Sequence, residues 1–359
     1  VTTTPELLSL HSVGDLVEIV PSLLGFQPVE SLVLVVLERD RVEVTVRFDL
    51  AAADQAPRWQ LVPVFARFPT ATYVVVAYTP EARAGWEALL TMDAAFPELP
   101  RTLVLADGER CYLFPGDEGE PYDAVAGRAA VQGALAGMAV LGSREELHAQ
   151  LDPTWSEEAL AAALDAVGAA IANGVDMVAR GRELLARFDT EGGSPTLEEA
   201  VVLTMASHAP GFLDEAILST TRANAAARRD LWAAVVRGSA PRCDGFALAA
   251  LGIAAWVTGQ GALQVVCLER MTNIRADPLW MGVLDQANAE AWPPSEWPAV
   301  RQRVRSAVAR APEARQGWQR VDLLAQVVGD GTGAVPMATV TRLATPRAGR
   351  RRPRAAGRR

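Results

Sequence analysis

The sequence predicts an α/β fold, a mixed five-stranded sheet with covering helices, followed by an all-α, partly tetratricopeptide-like helical domain. Three observations carry this. Strand-length apolar runs crowd the first third of the chain, at Ser31–Leu37, Thr72–Tyr78 and Arg101–Asp107. A turn-rich segment, PGDEGEPYD at Pro115–Asp123, then interrupts them. Beyond it strand signals cease, and helix-period patterning with capping signatures takes over.

Residues Thr4–Leu24 read as helix, with an apolar stripe that includes Leu8, Val13, Leu16, Val17, Val20 and Leu24. Pro21 is expected to break it in two, because a proline inside a helix removes a hydrogen bond and clashes one turn back. Gly25 is placed to close the second piece in a left-handed conformation, with Pro28 preventing continuation. A hairpin follows. SLVLVVL is apolar on both faces, as a central strand should be, whereas Val42, Val44, Val46 and Phe48 alternate with polar residues. Residues 55–68 then read as a helix, Thr72–Tyr78 as a buried strand, and Pro80 to about Ala94 as a further helix. Arg101–Asp107 and Arg110–Phe114 form a second hairpin that turns at Asp107-Gly108. Two hairpins and a lone strand linked by helices give the five-stranded sheet and assign residues 1–123 to it.

Residues 124–311 read as helices, at about 124–138, 143–151, 156–188, 196–208, 212–224, 226–237, 245–258, 261–273, 279–290 and 295–310. Ser143–Glu146 and Thr196–Glu199 have the form of capping boxes. Between Phe246 and Asn288 two helices flank a Gly259-Gln260-Gly261 turn, and Asp277-Pro278 opens a third. That spacing is tetratricopeptide-like over about one and a half units. Residues 312–345 are assigned to a variable segment, and 346–359 to a disordered arginine-rich tail too poor in apolar residues to fold.

Composition narrows the chemistry. The chain has 359 residues, half of them apolar, enough for a large core and two domains. Its formal charge is -9, yet Arg347–Arg359 carries seven arginines and no acid, which leaves about -16 on the rest. A body that acidic repels nucleic acid and anionic lipid, and only the tail could attract them. Every basic residue is arginine. Without lysine there is no Schiff base and no phosphate-loop or kinase-type lysine. Cys111, Cys243 and Cys267 are scattered, as are His11, His148 and His208. Neither set has disulfide-framework or zinc-ligand spacing, and a reducing cytoplasm is expected. The N-terminus lacks signal-peptide features, and no apolar run has the length and purity of a membrane span.

The chain resembles an actinobacterial family catalogued as domain of unknown function 4192. The resemblance is carried by VPSLLGFQPVESLVLVVL with VEVTVRFDL, by LGSREELHAQLDP, and by RRDLWAAVVRG with GIAAWVTGQGAL and ADPLW. It spans roughly residues 5–290, and it implies lineage and fold without a reaction.

The candidate sites are few. A nucleophilic Ser31 would need a base, yet the only histidine near in sequence, His11, precedes an apolar helix. The surroundings of Ser31 also do not match the Gly-x-Ser-x-Gly elbow. Residues 25–31 therefore read as a helix cap and strand start, with Glu30 and Ser31 satisfying backbone groups, and Ser31→Ala is expected to be nearly silent. Arg47 and Asp49, on the polar register of the second strand, are the candidate catalytic residues. Charges buried there need partners, so an internal Arg47 ion pair is favoured over an anion site, and Asp49 is expected to cap the following turn. Asp117, Glu118, Glu120 and Asp123 read as a solvated loop, since a hard cation needs convergent oxygens. Cys111 reads as a buried small residue. Arg222, Arg228, Arg229 and Asp230 read as a solvated helix face, and His208 as a partner of the carbonyls ending its helix. No cofactor or metal is assigned.

The leading expectation is an intracellular interaction or scaffold module that engages a protein partner through the helical domain. The alternative is an enzyme with an inter-domain site of arginines and carboxylates, such as a metal-dependent hydrolase. A second alternative is a nucleic-acid accessory protein with weak, salt-dependent contacts through Arg347–Arg359. A deep pocket with converging Arg47, Asp49 and acids would favour the enzyme. A shallow apolar helical groove would favour the module.

Overall fold

The computed structural model describes residues 10–329 except 40, 54–57, 137, 241 and 312–316. The expected tail at 346–359 therefore lies outside the described residues. Six strands form one mixed sheet in the order β2-β1-β3-β4-β5-β6. They are β1 (Ser31–Glu38), β2 (Arg41–Asp49), β3 (Thr72–Tyr78), β4 (Arg101–Ala106), β5 (Arg110–Tyr112) and β6 (Glu120–Pro121). β3 and β4 are parallel, joined by the crossover helix α3 (Ala82–Ala95), and the other neighbours are antiparallel. β6 was not expected. Its two residues pair with Arg110 and Cys111 inside the turn-rich segment, where periodicity is too short to read.

β1 is central because Leu32–Val36 are buried on both faces. Leu32, Leu34 and Val36 meet Tyr73, Val75 and Leu89 beneath α2 (Arg58–Arg67) and α3. Val33 and Val35 meet Val74, Val76 and Val104 beneath α1 (Val13–Leu24), which α4 (Arg128–Leu135) backs. Each such side chain contributes about 1.5–3 kcal/mol by leaving water.

α1 is one helix, and Pro21 does not divide it. A proline here strips the Val17 carbonyl of its helical partner. The Tyr78 hydroxyl, from the sheet, donates to that carbonyl at 2.9 Å, and so offsets the loss. Ser12 and Asp15 form a reciprocal capping box at the start of the helix. At its end Gly25 is left-handed (φ 81°, ψ 4°), and its N–H reaches the Pro21 carbonyl. The Gly25 carbonyl then accepts from Leu141 N–H, and Gln27 N–H donates to the Leu141 carbonyl, both at 2.9 Å. A parallel bridge between Phe26 and Leu141 results.

The rest of the chain is largely helical. It comprises α5 (Arg144–Ala149), α6 (Glu157–Ala172), α7 (Met177–Glu191), α8 (Leu197–Ser207), α9 (Pro210–Leu218) and α10 (Ala225–Gly238). There follow α11 (Gly245–Val257), α12 (Gly261–Met271), α13 (Pro278–Ala289), α14 (Trp297–Arg310) and α15 (Gly317–Gly329). The single helix expected at 156–188 is two, parted where Gly174 takes φ 85°. The Thr196–Glu199 capping box is complete, whereas Glu146 reaches the Gly142 N–H and leaves the Ser143 box half made. Every residue of α11 is buried, and α10 and α12 flank it. No single described helix is long and apolar enough to cross a membrane.

α15 lies in the segment expected to be variable, and its docking is ionic as well as apolar. The buried Arg320 donates to both Asp214 oxygens at 2.8 and 2.7 Å, and to both Asp277 oxygens at 3.1 Å. Asp214 also accepts the Trp280 indole N–H at 2.8 Å, and Asp277 caps α13. Burial pushes the Asp277 carboxyl up against the opposing pull of Arg320. Burial also opposes the Arg320 charge, but the two carboxylates outweigh it and hold the guanidinium above its usual range.

These contacts lead to three expected outcomes. Gly25→Val should lower the melting temperature by several degrees, because a β-branched residue resists the left-handed region. Ser31→Ala should now cost about 1 kcal/mol instead of being silent, since the buried Ser31 Oγ accepts from Arg47 Nε at 3.0 Å and donates to the Val29 carbonyl at 2.8 Å. Unchanged melting for Gly25→Val would remove the capping role. Arg320→Met should cost about 3–5 kcal/mol by urea titration, since two buried carboxylates lose their counter-charge. A loss below about 1 kcal/mol would mean that α15 does not hold the pair.

Candidate interaction cleft

β2 has one neighbour in the sheet, β1, so its other side is an edge. The Leu50 N–H bonds the Glu30 carbonyl, and antiparallel hydrogen bonding alternates along a strand pair. Counted back from Leu50, Phe48, Val46 and Val44 bond β1, and Thr45, Arg47 and Asp49 turn their N–H and C=O groups outward. No described residue makes a backbone bond to the outer groups of Thr45 and Arg47, whereas the Asp49 carbonyl is taken up by the 3-10 turn Leu50–Ala52 that follows it.

That edge opens on a cleft of about 2480 Å³. Its walls are β2, residues 22–26 at the end of α1, one face of α10, the Thr258–Gly261 turn and the connection from α13 to α14. The Phe26–Leu141 bridge sets the sheet side of the cleft against the helical side. On α10 the facing residues are Ala226, Arg229, Asp230, Ala233 and Arg237, with Arg222 one turn before them. Their three- and four-residue spacing puts arginines and alanines in one stripe. Phe26, Phe48, Trp256, Trp292 and Trp297 also line the cleft, and all are buried.

Both candidate residues of the second strand lie in this wall. The Arg47 guanidinium pairs with Asp49 at 2.6 Å, as favoured, and Arg47 is the more buried partner. Asp49 does not cap the following turn, because its carboxylate is turned to Arg47. The carboxylate of Glu30, a residue with φ 45°, accepts from the Thr79 hydroxyl at 2.7 Å and not from a backbone N–H.

On the helical side, Arg228 is not part of a solvated face. It is buried, pairs with Asp189 at 2.6 Å and donates to Ser219 Oγ at 3.2 Å. Arg229 pairs with its neighbour Asp230 at 2.7 Å, and Arg144 with Glu269 at 2.7 Å. Arg222 is exposed and Arg237 half-buried, and neither has an ion pair or side-chain hydrogen bond among the described residues. The lining holds more arginines than carboxylates, whereas the whole chain has 34 basic and 43 acidic residues. The arginine stripe was legible as spacing, but only the fold places it across from β2.

The remaining candidates stay outside the cleft. Asp117 accepts from the Leu113 and Gly119 N–H groups, and Asp123 from those of Val125 and Ala126. These backbone bonds hold both carboxyls below the usual range. The loop acids thus order their own turns. No group of three or more His, Cys, Asp and Glu residues is placed to hold a metal ion among the described residues. Burial pushes the Cys111 thiol up to about 11, which disfavours the reactive thiolate. His208 Nε2 meets the Cys243 carbonyl at 3.2 Å, across the α10–α11 connection, and not the carbonyls of its own helix.

Neither the curated proteins nor the solved structures contain a match to the chain. One family does match, over residues 14–295, which hold the left-handed Gly25 turn, the edge strand β2 and the arginines on α10. The chain belongs to that family, described as Domain of unknown function (DUF4192).

Proposed function

We propose that the protein is an interaction module, and that the cleft between β2 and α10 holds a segment of a protein partner. The observation that carries this is a strand edge, with backbone groups at Thr45 and Arg47 that have no partner among the described residues, opening on a large cleft that both halves of the chain line. Unpaired edges are templates for pairing, and proteins that do not use them cover or break them. An enzyme in the same cleft would need a group free to exchange a proton or attack a substrate. Arg47 and Asp49 instead neutralise one another. This moves the expected partner surface from a helical groove to the junction of helices and sheet.

A photo-crosslinking residue at Thr45 or Ala233 should trap the same protein in cell extract, and one at the exposed Arg83 on α3 should not. That protein, purified, should bind the wild type and lose about tenfold affinity for Ala226→Trp, which fills the cleft. Equal capture at all three positions, or binding unchanged by Ala226→Trp, would refute the proposal.

A further inference from the structure

Resting on the cleft as the binding surface, we infer that its occupant is an extended acidic segment of a partner protein, added as a strand to the outer edge of β2. Two independent features point to this occupant. The first is the backbone. Thr45 and Arg47 present outward N–H and C=O groups without backbone partners among the described residues, the pattern that an added strand satisfies at every second residue. Val44, Val46 and Phe48 point their side chains into the opposite layer, so the edge is held rigid by its own core.

The second feature is charge. Arg222, Arg229 and Arg237 line the same cleft on and just before α10, with the small side chains of Ala226 and Ala233 between them. Asp230 neutralises Arg229, and Asp49 neutralises Arg47. Arg222 and Arg237 remain without acidic partners among the described residues, in a chain whose formal charge is -9. Glu43, at the bulge two residues before Thr45, is the carboxylate on β2 that opposes the arrangement, and Asp285 and Glu290 also line the cleft. Glutamates or aspartates on an added strand would meet the two free guanidiniums, and charge-assisted hydrogen bonds of that kind are the stronger ones.

Other occupants fit less well. Single-stranded nucleic acid uses exposed aromatic side chains as stacking platforms. The five aromatic residues that line the cleft are buried. The chain's own Arg347–Arg359 carries the same sign as the stripe.

The test uses the full chain and three labelled probes, read by fluorescence anisotropy. The probes are a ten-residue peptide alternating glutamate and valine, the same peptide with lysine for glutamate, and a ten-nucleotide oligothymidylate. The glutamate peptide should bind, more weakly as salt rises, and the lysine peptide should not. Thr45→Pro should abolish binding and keep the fold, because it removes an outward N–H and no bond to β1. The double variant Arg222→Glu, Arg237→Glu should weaken binding by about tenfold or more. Amide exchange at Thr45 and Arg47 should slow when the peptide is bound.

Binding that survives Thr45→Pro without slowed exchange, but falls with the arginine reversals, would overturn strand addition and leave the interaction cleft standing. Preference for the lysine peptide or the oligonucleotide would overturn the acidic occupant. Failure of the glutamate peptide to bind, with crosslinks still forming at Thr45 and Ala233, would overturn this inference alone. Loss of those crosslinks as well would remove the cleft itself.

Discussion

The left-handed backbone of Gly25 is the constraint on which the arrangement of the two halves depends. Its φ of 81° lets α1 end on the Pro21 carbonyl and turns the next residues toward β1. In the same turn its own carbonyl, and the N–H of Gln27, are delivered to Leu141. Two backbone hydrogen bonds thus fix the start of the helical half against the entry to the central strand. Net energies of about 1 kcal/mol each are modest. Their value is geometric, because they set where the connection into α5 runs, and Arg144 and His148 of α5 then tie that helix to Glu269 on α12. A residue with a Cβ would have to be forced into this conformation.

Charge is distributed to the same end. The acidic chain spends several arginines in internal pairs, of which the Arg320 cluster with Asp214 and Asp277 is the most enclosed. A buried pair of this kind adds little net stability over apolar packing, but removing one partner is costly. It therefore fixes α15 in one place, against α13 and α9. Along the cleft the logic reverses. There Arg222 and Arg237 have no acidic partner among the described residues, and the cleft they line with β2 offers both positive charge and, at Thr45 and Arg47, backbone groups without described partners.

Much of this was legible in the sequence. The strand runs, the Gly25 cap, the Asp107-Gly108 turn and the Thr196–Glu199 capping box are local signals, read over windows of a few residues. An ion pair at Arg47 was legible because a buried charge needs a partner, but its partner was not, since Asp49 reads in sequence as a cap for the following turn. Long-range partners were not. The continuity of α1 through Pro21 depends on a hydroxyl sixty-one residues away, on Tyr78. The burial of Arg228 depends on Asp189, and that of Arg320 on Asp214 and Asp277, 106 and 43 residues before it. β6 was too short for any period, and its pairing comes from the preceding hairpin. The cleft belongs to this second group, since its two walls come from opposite ends of the matched region.

The most direct measurement is amide hydrogen exchange, residue by residue, on the unliganded protein. The Val44, Val46 and Phe48 amides bond β1 and should exchange slowly, whereas the Thr45 and Arg47 amides on the outer edge should exchange orders of magnitude faster. Slow exchange along the whole of β2 would mean that its outer edge is already covered, and would contradict an open edge as the heart of the binding site.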